Sequence, residues 1–169
     1  MNDLSARRSR STMVALYALT TAAVMALTFV IQIPIPATGG YLNFGDIAIF
    51  LFALLFGSRV GAFAGGFGSA LADLAGPYAV FAPFTLLIKG VEGFLAGYIA
   101  AKKNLRRDLL AWGVGATAMV LGYFIVETLF FGGAPAASVE VPSNLVQVFS
   151  GAVVSIPLAQ GLRKAISAK

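Results

Sequence analysis

Two charged residues, Lys89 and Glu92, lie three positions apart inside a long apolar stretch of the chain. A charge in the middle of a membrane helix costs at least ~2.5–3.5 kcal/mol, so it is kept where it faces a polar cavity or a partner charge. Residues three apart share one face of a helix and can form an ion pair. The two side chains therefore indicate either a ligand-binding cavity or an ion pair that only stabilises a helix bundle.

Three further acidic residues lie in or at the edges of apolar segments. Glu127 has no charged partner nearby in the sequence, so we expect it either to pair with Lys89 across the bundle or to face a ligand. Asp46 is placed to cap the helix that it opens or to fix the preceding loop, because carboxylates stabilise helix N-termini. Asp73 comes shortly before Gly76 and Pro77 and is placed to hold that turn. These assignments leave binding roles for Asp46 and Asp73 open.

Several classes of chemistry are excluded by residues that the chain lacks. It contains no Cys and no His, which excludes disulfides, thiolate metal sites and Ser-His or Cys-His nucleophilic catalysis. It also has no Gly-rich loop ending in Lys that would cradle nucleotide phosphates. We therefore predict that the chain is not an enzyme and holds no metal, no cofactor and no ATPase of its own.

The composition identifies the class of protein. Of the 169 residues, 59% are hydrophobic and 11% are charged, whereas soluble domains are about half apolar and about a quarter charged. The chain is therefore predicted to be an all-α integral membrane protein, with residues 1–169 forming a single transmembrane domain.

Six apolar segments are predicted to form a compact bundle of transmembrane helices. The second and third are shorter than the ~20 residues that a perpendicular span needs. An alternative is that these two form one re-entrant hairpin, which leaves four full spans. The six segments cover residues 13–33, 46–56, 60–75, 79–101, 109–131 and 143–162.

The basic residues predict the orientation of the bundle. Eleven of the twelve lie in alternate connections and at both ends of the chain, and the twelfth is Lys89. Basic residues mark the cytoplasmic side of a membrane protein, so both termini are predicted to be cytoplasmic. Because this pattern is accounted for by topology, we expect no nucleic-acid binding. The eleven are Arg7, Arg8, Arg10, Arg59, Lys102, Lys103, Arg106, Arg107, Arg163, Lys164 and Lys169.

The three connections on the opposite side contain no Lys or Arg and predict a binding face. Residues 34–45 form a long loop rich in Pro and Gly, residues 75–78 a tight turn, and residues 132–142 a long and almost uncharged loop. Long loops on one face of a compact scaffold usually carry binding residues.

The polar residues concentrate in the same half of the bundle. At ~1.5 Å of rise per residue, Lys89 lies ~15 Å and Glu127 ~6 Å below the outer ends of their helices. Asn144 and Gln147 begin the sixth segment at that face, one turn apart. This distribution is typical of a pocket that opens to the outside and is closed below.

Small residues recur every fourth position in several segments. Ala18, Ala22 and Ala26 follow this spacing in the first segment, as do Gly61 and Gly65 in the third. Small residues at this spacing let membrane helices approach closely. The glycines suit packing inside the bundle, whereas the alanines suit either internal packing or contact with an external helix.

Three stretches carry a resemblance to a known family. They are Gly40-Tyr-Leu-Asn-Phe-Gly-Asp46, Gly65-Gly-Phe-Gly-Ser-Ala-Leu-Ala-Asp73, and Tyr78-Ala-Val-Phe-Ala-Pro-Phe-Thr-Leu-Leu-Ile-Lys-Gly-Val-Glu-Gly93. With its size and its six segments, the chain resembles the substrate-binding S components of energy-coupling factor (ECF) vitamin transporters. The closest likeness is to the branch that contains riboflavin, hydroxymethylpyrimidine and vitamin B6 types.

The resemblance implies a function, a location and partners. S components lie in the prokaryotic cytoplasmic membrane and bind a vitamin or vitamin precursor from outside, with the loop after the first helix as a lid. They work with one transmembrane coupling protein and two cytoplasmic ATPases, as the substrate-specific part of an ABC-type importer. An alanine-rich motif on the first helix contacts the coupling protein in this family, and Ala18, Ala22 and Ala26 match it.

The resemblance also implies which residues bind the ligand, because family members use the first outer loop and segments four to six. The matching candidates are Tyr41, Asn43, Tyr78, Lys89, Glu92, Glu127, Asn144 and Gln147.

The outer half contains no Trp to stack on a large flavin, so a small pyridine or pyrimidine precursor is favoured and riboflavin is the alternative. Two competing functions follow from the residues. One is a stand-alone secondary transporter in which Lys89, Glu92 and Glu127 exchange ions or protons, although no inverted repeat supports it. The other is a structural membrane protein without a ligand.

Overall fold

The computed structural model describes residues 10–167. Arg7, Arg8 and Lys169, which belong to the predicted cytoplasmic set, lie outside this range, as do both chain termini. Within it, the chain forms six α-helices, a single 3-10 turn after the fourth, and one short hairpin. The helices are α1 Arg10–Val30, α2 Gly45–Phe56, α3 Ser58–Ala75, α4 Ala82–Ile99, α5 Leu105–Phe130 and α6 Gly133–Ser167, and the strands are β1 Ile33–Ile35 and β2 Gly40–Leu42.

Each predicted segment corresponds to one helix, which confirms the all-α architecture. Four helices are long and apolar enough to cross a membrane: α1, α4 with its 3-10 turn, α5 and α6. Of the other two, α2 is too short with 12 residues, and α3 has 18 residues but is not apolar enough. That all six helices cross the membrane, and on which side the termini lie, stays a prediction.

Gly57 alone separates α2 from α3. Its backbone has φ +90° and ψ −175°, a region that residues with a side chain rarely adopt. The amide of Gly57 donates to Ala53 O at 2.9 Å and so ends α2, while α3 begins at the next residue. This joint lets the two short helices pack against each other.

Glycines bring α3 and α4 into close contact. A Cβ atom on Gly61 would overlap the carbonyl of Gly93, and one on Gly65 would lie 2.6 Å from the carbonyl oxygen of Lys89. The predicted internal role of the glycines is therefore confirmed. The close approach also fixes the backbone that carries Lys89.

The alanines of α1 lie on a different face from the residues that pack into the bundle. Ala18, Ala22 and Ala26 are exposed. The buried face of this helix consists of Thr20, Thr21, Val24 and Thr28. Of the two roles that the sequence leaves open for the alanines, internal packing is therefore excluded.

The predicted outer loop at residues 132–142 is wrong, because α6 already begins at Gly133 and continues to Ser167. Pro135 is tolerated because it lies in the first turn, where backbone N–H groups have no helical acceptor. Pro142 lies inside the helix rather than at its start. The consequence is that Glu140 belongs to a helix packed in the bundle, where it is only 4% exposed.

The hairpin lies in the connection between α1 and α2, and its strand β2 contacts α6. Strands β1 and β2 are antiparallel, with Ile33 opposite Leu42 and Ile35 opposite Gly40. Thr38 of the turn and Tyr41 of β2 are both buried. The connection between α1 and α2 is thus an ordered element with buried polar side chains.

Candidate ligand-binding cavity

A cavity lies beneath the hairpin, and its walls are formed by α1, α3, α4, α5 and α6. About 20 Å³ at its centre is free for the centre of a water molecule, which is room for about one water. Most of its lining is polar and buried. The lining residues are Thr28, Gly40, Tyr41, Asn43, Ser69, Asp73, Phe81, Thr85, Lys89, Tyr123, Glu140, Asn144 and Gln147.

Lys89 lies between two carboxylates at one wall of this cavity. Its ammonium contacts a carboxylate oxygen of Asp46 and lies 3.2 Å from Oε2 of Glu92. All three side chains are at most 2% exposed. The predicted pairing of Lys89 with Glu92 is confirmed, and Asp46 joins it across 43 positions of sequence.

Two expectations about the acidic residues are therefore wrong. Asp46 does not act as a capping residue: Phe44 is the N-cap of α2, no side chain caps it, and the Asp46 carboxylate faces Lys89. Lys89 does not pair with Glu127, because Asp46 and Glu92 are its ion-pair partners among the described residues. Lys89 also lies 5.7 Å from the ring centre of Tyr123, within range of a cation–π contact.

Asp73 joins α3 to the hairpin instead of only holding the turn that follows. The Tyr41 hydroxyl donates a hydrogen bond to Oδ1 of Asp73 at 2.5 Å. Burial, and then the negative charge of Asp73, raise the pKa of the Tyr41 phenol well above its ordinary value, so this hydroxyl stays a donor near neutral pH. The Tyr41 ring packs on that of Tyr78, with 4.1 Å between the ring centres.

A second contact joins the hairpin to α6. The Thr38 hydroxyl donates to Oε2 of Glu140, and the amide of Gly40 donates to the Thr38 oxygen at 3.1 Å. A Cβ atom on Gly40 would lie 2.6 Å from Oε1 of Glu140, so the absence of a side chain leaves room for this carboxyl. Glu127 of α5 is an interacting neighbour of Glu140 and is fully buried.

Three amide side chains form a hydrogen-bonded group on the α2–α6 side. Nε2 of Gln147 donates to Oδ1 of Asn144 at 2.9 Å, and Oε1 of Gln147 accepts from the backbone N–H of Asn43 at 3.3 Å. Oδ1 of Asn43 accepts from the amide of Gly45 at 2.9 Å, which fixes the start of α2. The orientation of these amides is therefore set by protein contacts.

Five of the eight predicted ligand-binding residues line the cavity: Tyr41, Asn43, Lys89, Asn144 and Gln147. The other three lie behind it, since Tyr78 packs against Tyr41, Glu92 pairs with Lys89, and Glu127 neighbours Glu140. Ligand contact by any of the eight stays a prediction.

Several lining residues are not among the predicted ligand-binding residues, although the spacing of two of them could have indicated a shared polar helix face. Ser69 and Asp73 are four positions apart on α3 and so share one helix face. Glu140 lies in the stretch 132–142 that the sequence predicts to be a loop. The missed lining residues are Thr28, Gly40, Ser69, Asp73, Phe81, Thr85, Tyr123 and Glu140.

Several buried polar atoms of the lining have no hydrogen-bond partner among residues 10–167. They are Oγ1 of Thr28, Oγ of Ser69, Oδ2 of Asp73 and Nδ2 of Asn144. Buried polar groups are nearly always hydrogen-bonded, so these atoms mark positions for polar ligand groups or water. They offer both donors and acceptors, whereas the described residues contain no cluster of His, Cys, Asp and Glu that would hold a metal ion.

Comparison with known proteins identifies the family. Residues 9–164 match the family model described as ECF-type riboflavin transporter, S component. The chain belongs to this family of S components. Over 145 residues, it is 47% identical to an uncharacterised protein in the gap 3′ region of Pyrococcus woesei, with 85% of this chain and 97% of the relative covered. Over 137 residues, it is 39% identical to the thiamine precursor transporter HmpT of Lactococcus lactis subsp. cremoris (strain MG1363), with 77% of each covered.

The family assignment confirms the predicted resemblance. The S component is a transporter component and not an enzyme, and its apolar helices make it a multi-pass membrane protein. Its role is that of a vitamin-type substrate-binding subunit. The family description and the name of the relative HmpT point to different vitamins, so membership alone does not identify the substrate.

Proposed function

We propose that this S component binds a small aminopyrimidine of the thiamine-precursor type, such as hydroxymethylpyrimidine, and delivers it to an ATP-driven coupling module. The observation that carries this proposal is the small, polar cavity beneath the hairpin. It combines unpaired donors, an unpaired carboxylate oxygen and aromatic rings at one buried site.

The hydrogen-bonding groups of the cavity suit an aminopyrimidine. Such a ring carries an amino group that donates hydrogen bonds and ring nitrogens that accept them. Side-chain amides pair well with this pattern, as they do with adenine in nucleic acids. Nδ2 of Asn144 and the hydroxyls of Thr28 and Ser69 supply donors, and Oδ2 of Asp73 supplies an acceptor.

The aromatic residues of the lining favour one ring over a flavin. The aromatic lining residues are Tyr41, Phe81 and Tyr123, and the single Trp of the chain, Trp112, is not among them. The 39% identity to a thiamine precursor transporter supports the same substrate class. Riboflavin is the second candidate, because the family model carries that name.

The coupling partners are the second part of the proposal. A transmembrane coupling protein binds the exposed alanine face of α1, and two cytoplasmic ATPases supply the energy. The outward position of Ala18, Ala22 and Ala26 supports this, because small residues allow a second helix to approach closely. We further propose that the protein lies in a prokaryotic cytoplasmic membrane with all six helices spanning it and both termini inside.

The purified full chain in detergent provides the first test, by isothermal titration calorimetry with hydroxymethylpyrimidine, pyridoxine and riboflavin. We expect the pyrimidine to bind most tightly and the chain alone to hydrolyse no ATP. Tight binding of riboflavin without binding of the pyrimidine would contradict the proposed substrate.

Uptake into vesicles tests the coupling. We expect accumulation of the labelled pyrimidine only when the coupling protein and its ATPases are reconstituted together with this chain and ATP. Accumulation without them that collapses with the proton gradient would instead establish a secondary transporter.

A further inference from the structure

Asp73 has the geometry of a carboxylate held for a ligand. It lies on α3, lines the cavity and is 1% exposed. Its Oδ1 accepts the hydrogen bond from Tyr41 at 2.5 Å, whereas Oδ2 has no partner among residues 10–167. The side chain of Thr85 also interacts with this carboxylate. One oxygen therefore fixes the orientation of the group, and the other can accept a hydrogen bond from a donor outside the chain.

The charge of Lys89 acts on Asp73, but the two side chains form no ion pair among the described residues. Lys89 is the basic residue of the lining, and its ion pairs are with Asp46 and Glu92. The other ion pair among the described residues joins Arg163 to Asp108 between α5 and α6. A buried acceptor without a donor costs more than a hydrogen bond contributes, and the cost is larger for a charged group. A ligand with an N–H donor removes this cost.

Ser69 supplies a second unpaired polar group on the same face of α3. Ser69 lies one turn before Asp73 on the same helix face, is 1% exposed, and has an unpaired hydroxyl. A hydroxyl donates as well as accepts, so it suits a ring nitrogen next to an amino group. Ser69 and Asp73 therefore offer a hydroxyl and a carboxylate oxygen from one face of α3, which are the types of group that an aminopyrimidine edge pairs with.

We propose that Asp73 is the specificity-determining residue that accepts a hydrogen bond from the amino group of the ligand, and that Tyr41 is its positioning residue. This inference rests on the proposed function, because it concerns the same cavity and the same substrate class. It further states that the site selects an amino group over an oxo group at that ring position. Because Tyr41 belongs to the hairpin, the selection depends on the hairpin lying over the cavity.

The test compares two probes, 5-hydroxymethyl-2-methylpyrimidin-4-amine and its 4-oxo analogue, by calorimetry with the purified full chain. The oxo group would face the carboxylate acceptor to acceptor, so we expect the wild type to prefer the amine by about 10- to 100-fold. Asp73→Asn presents an N–H donor in place of the carboxylate oxygen. We expect this variant to lose affinity for the amine and to reverse the preference, which general structural damage would not produce.

Asp108→Asn is the matched control, because Asp108 is also fully buried but pairs with Arg163 outside the cavity. It should leave the ratio of the two affinities unchanged. Tyr41→Phe provides a second variant in case Asp73→Asn does not fold. It removes the hydrogen bond that orients Asp73 and should lower the preference for the amine at least threefold.

Three results would overturn the inference and leave the proposed substrate intact. They are equal affinity of the wild type for the two pyrimidines, an unchanged affinity ratio in Asp73→Asn, and an unchanged ratio in Tyr41→Phe. Binding of riboflavin or pyridoxine by the wild type, with neither pyrimidine bound, would overturn both the proposed substrate and this inference.

Discussion

Replacing Lys89 by Met tests whether the buried charges around it are balanced by one another. The variant keeps a long apolar stem but leaves the carboxylates of Asp46 and Glu92 without their cation. Removing one partner of a buried ion pair costs ~3–5 kcal/mol, because an uncompensated charge stays in the interior. We expect a loss of that size in the free energy of unfolding, since both carboxylates are fully buried.

A triple variant separates charge balance from loss of packing. Lys89→Met combined with Asp46→Asn and Glu92→Gln removes all three charges and keeps the side-chain shapes. Neutral replacements of a whole buried ion group are often close to neutral in stability. The triple variant should therefore recover most of the stability that the single variant loses.

Reversible unfolding in mixed micelles measures both variants against the wild type. Equal stability of Lys89→Met and the wild type would refute the reasoning, and so would a triple variant as unstable as the single one. Calorimetry with hydroxymethylpyrimidine on the same samples shows whether Lys89 also contacts the ligand. If the triple variant is stable but binds at least tenfold more weakly, Lys89 has both roles.

Three further predictions concern the exposed alanine face of α1, the buried neighbours Glu127 and Glu140, and the hairpin. Ala22→Leu adds bulk to the exposed face of α1, so uptake with the coupling module should stop while calorimetric affinity is kept; loss of binding would contradict an external role for this face. Glu127→Ala should weaken ligand binding about tenfold and still insert into membranes, because it leaves Glu140 without its buried neighbour; unchanged affinity would refute a role in the site. Thr38→Val removes the hydrogen bond between the hairpin and Glu140, so ligand dissociation in stopped-flow measurements should accelerate about threefold or more, and an unchanged rate would contradict a closing role for this contact.

The six helices could be predicted because membrane helices are marked by length and apolarity, which are local properties. The pairing of Lys89 with Glu92 was also predictable, since their spacing places them on one helix face. The contact between Lys89 and Asp46 was not, because it joins residues 43 positions apart through the packing of α2 against α4. Tertiary contacts of this kind leave no periodic signal in one sequence.

The N-terminal part of α6 could not be predicted from the sequence for a different reason. Pro135 and Pro142 indicate a loop by local rules, and the Glu between them then reads as a solvated residue. In the folded chain the helix continues through Pro142, and Glu140 turns toward the cavity. Packing against neighbouring helices keeps Glu140 buried, and no local feature of the sequence indicates this, so Glu140 was not predicted as a lining residue.

The unequal lengths of α2 and α6 have a consequence for the surrounding lipid. At 1.5 Å per residue, the 12 residues of α2 extend ~18 Å and the 35 residues of α6 ~52 Å, whereas the hydrocarbon core of a bilayer is ~30 Å thick. With both helices spanning the membrane, as proposed, the bundle would have positive hydrophobic mismatch along α6 and negative mismatch along α2. Such mismatch is relieved by helix tilt and local bilayer thinning, and it would leave the protein without a uniform hydrophobic girdle. Acyl-chain length should then influence how easily this S component changes its tilt in the membrane.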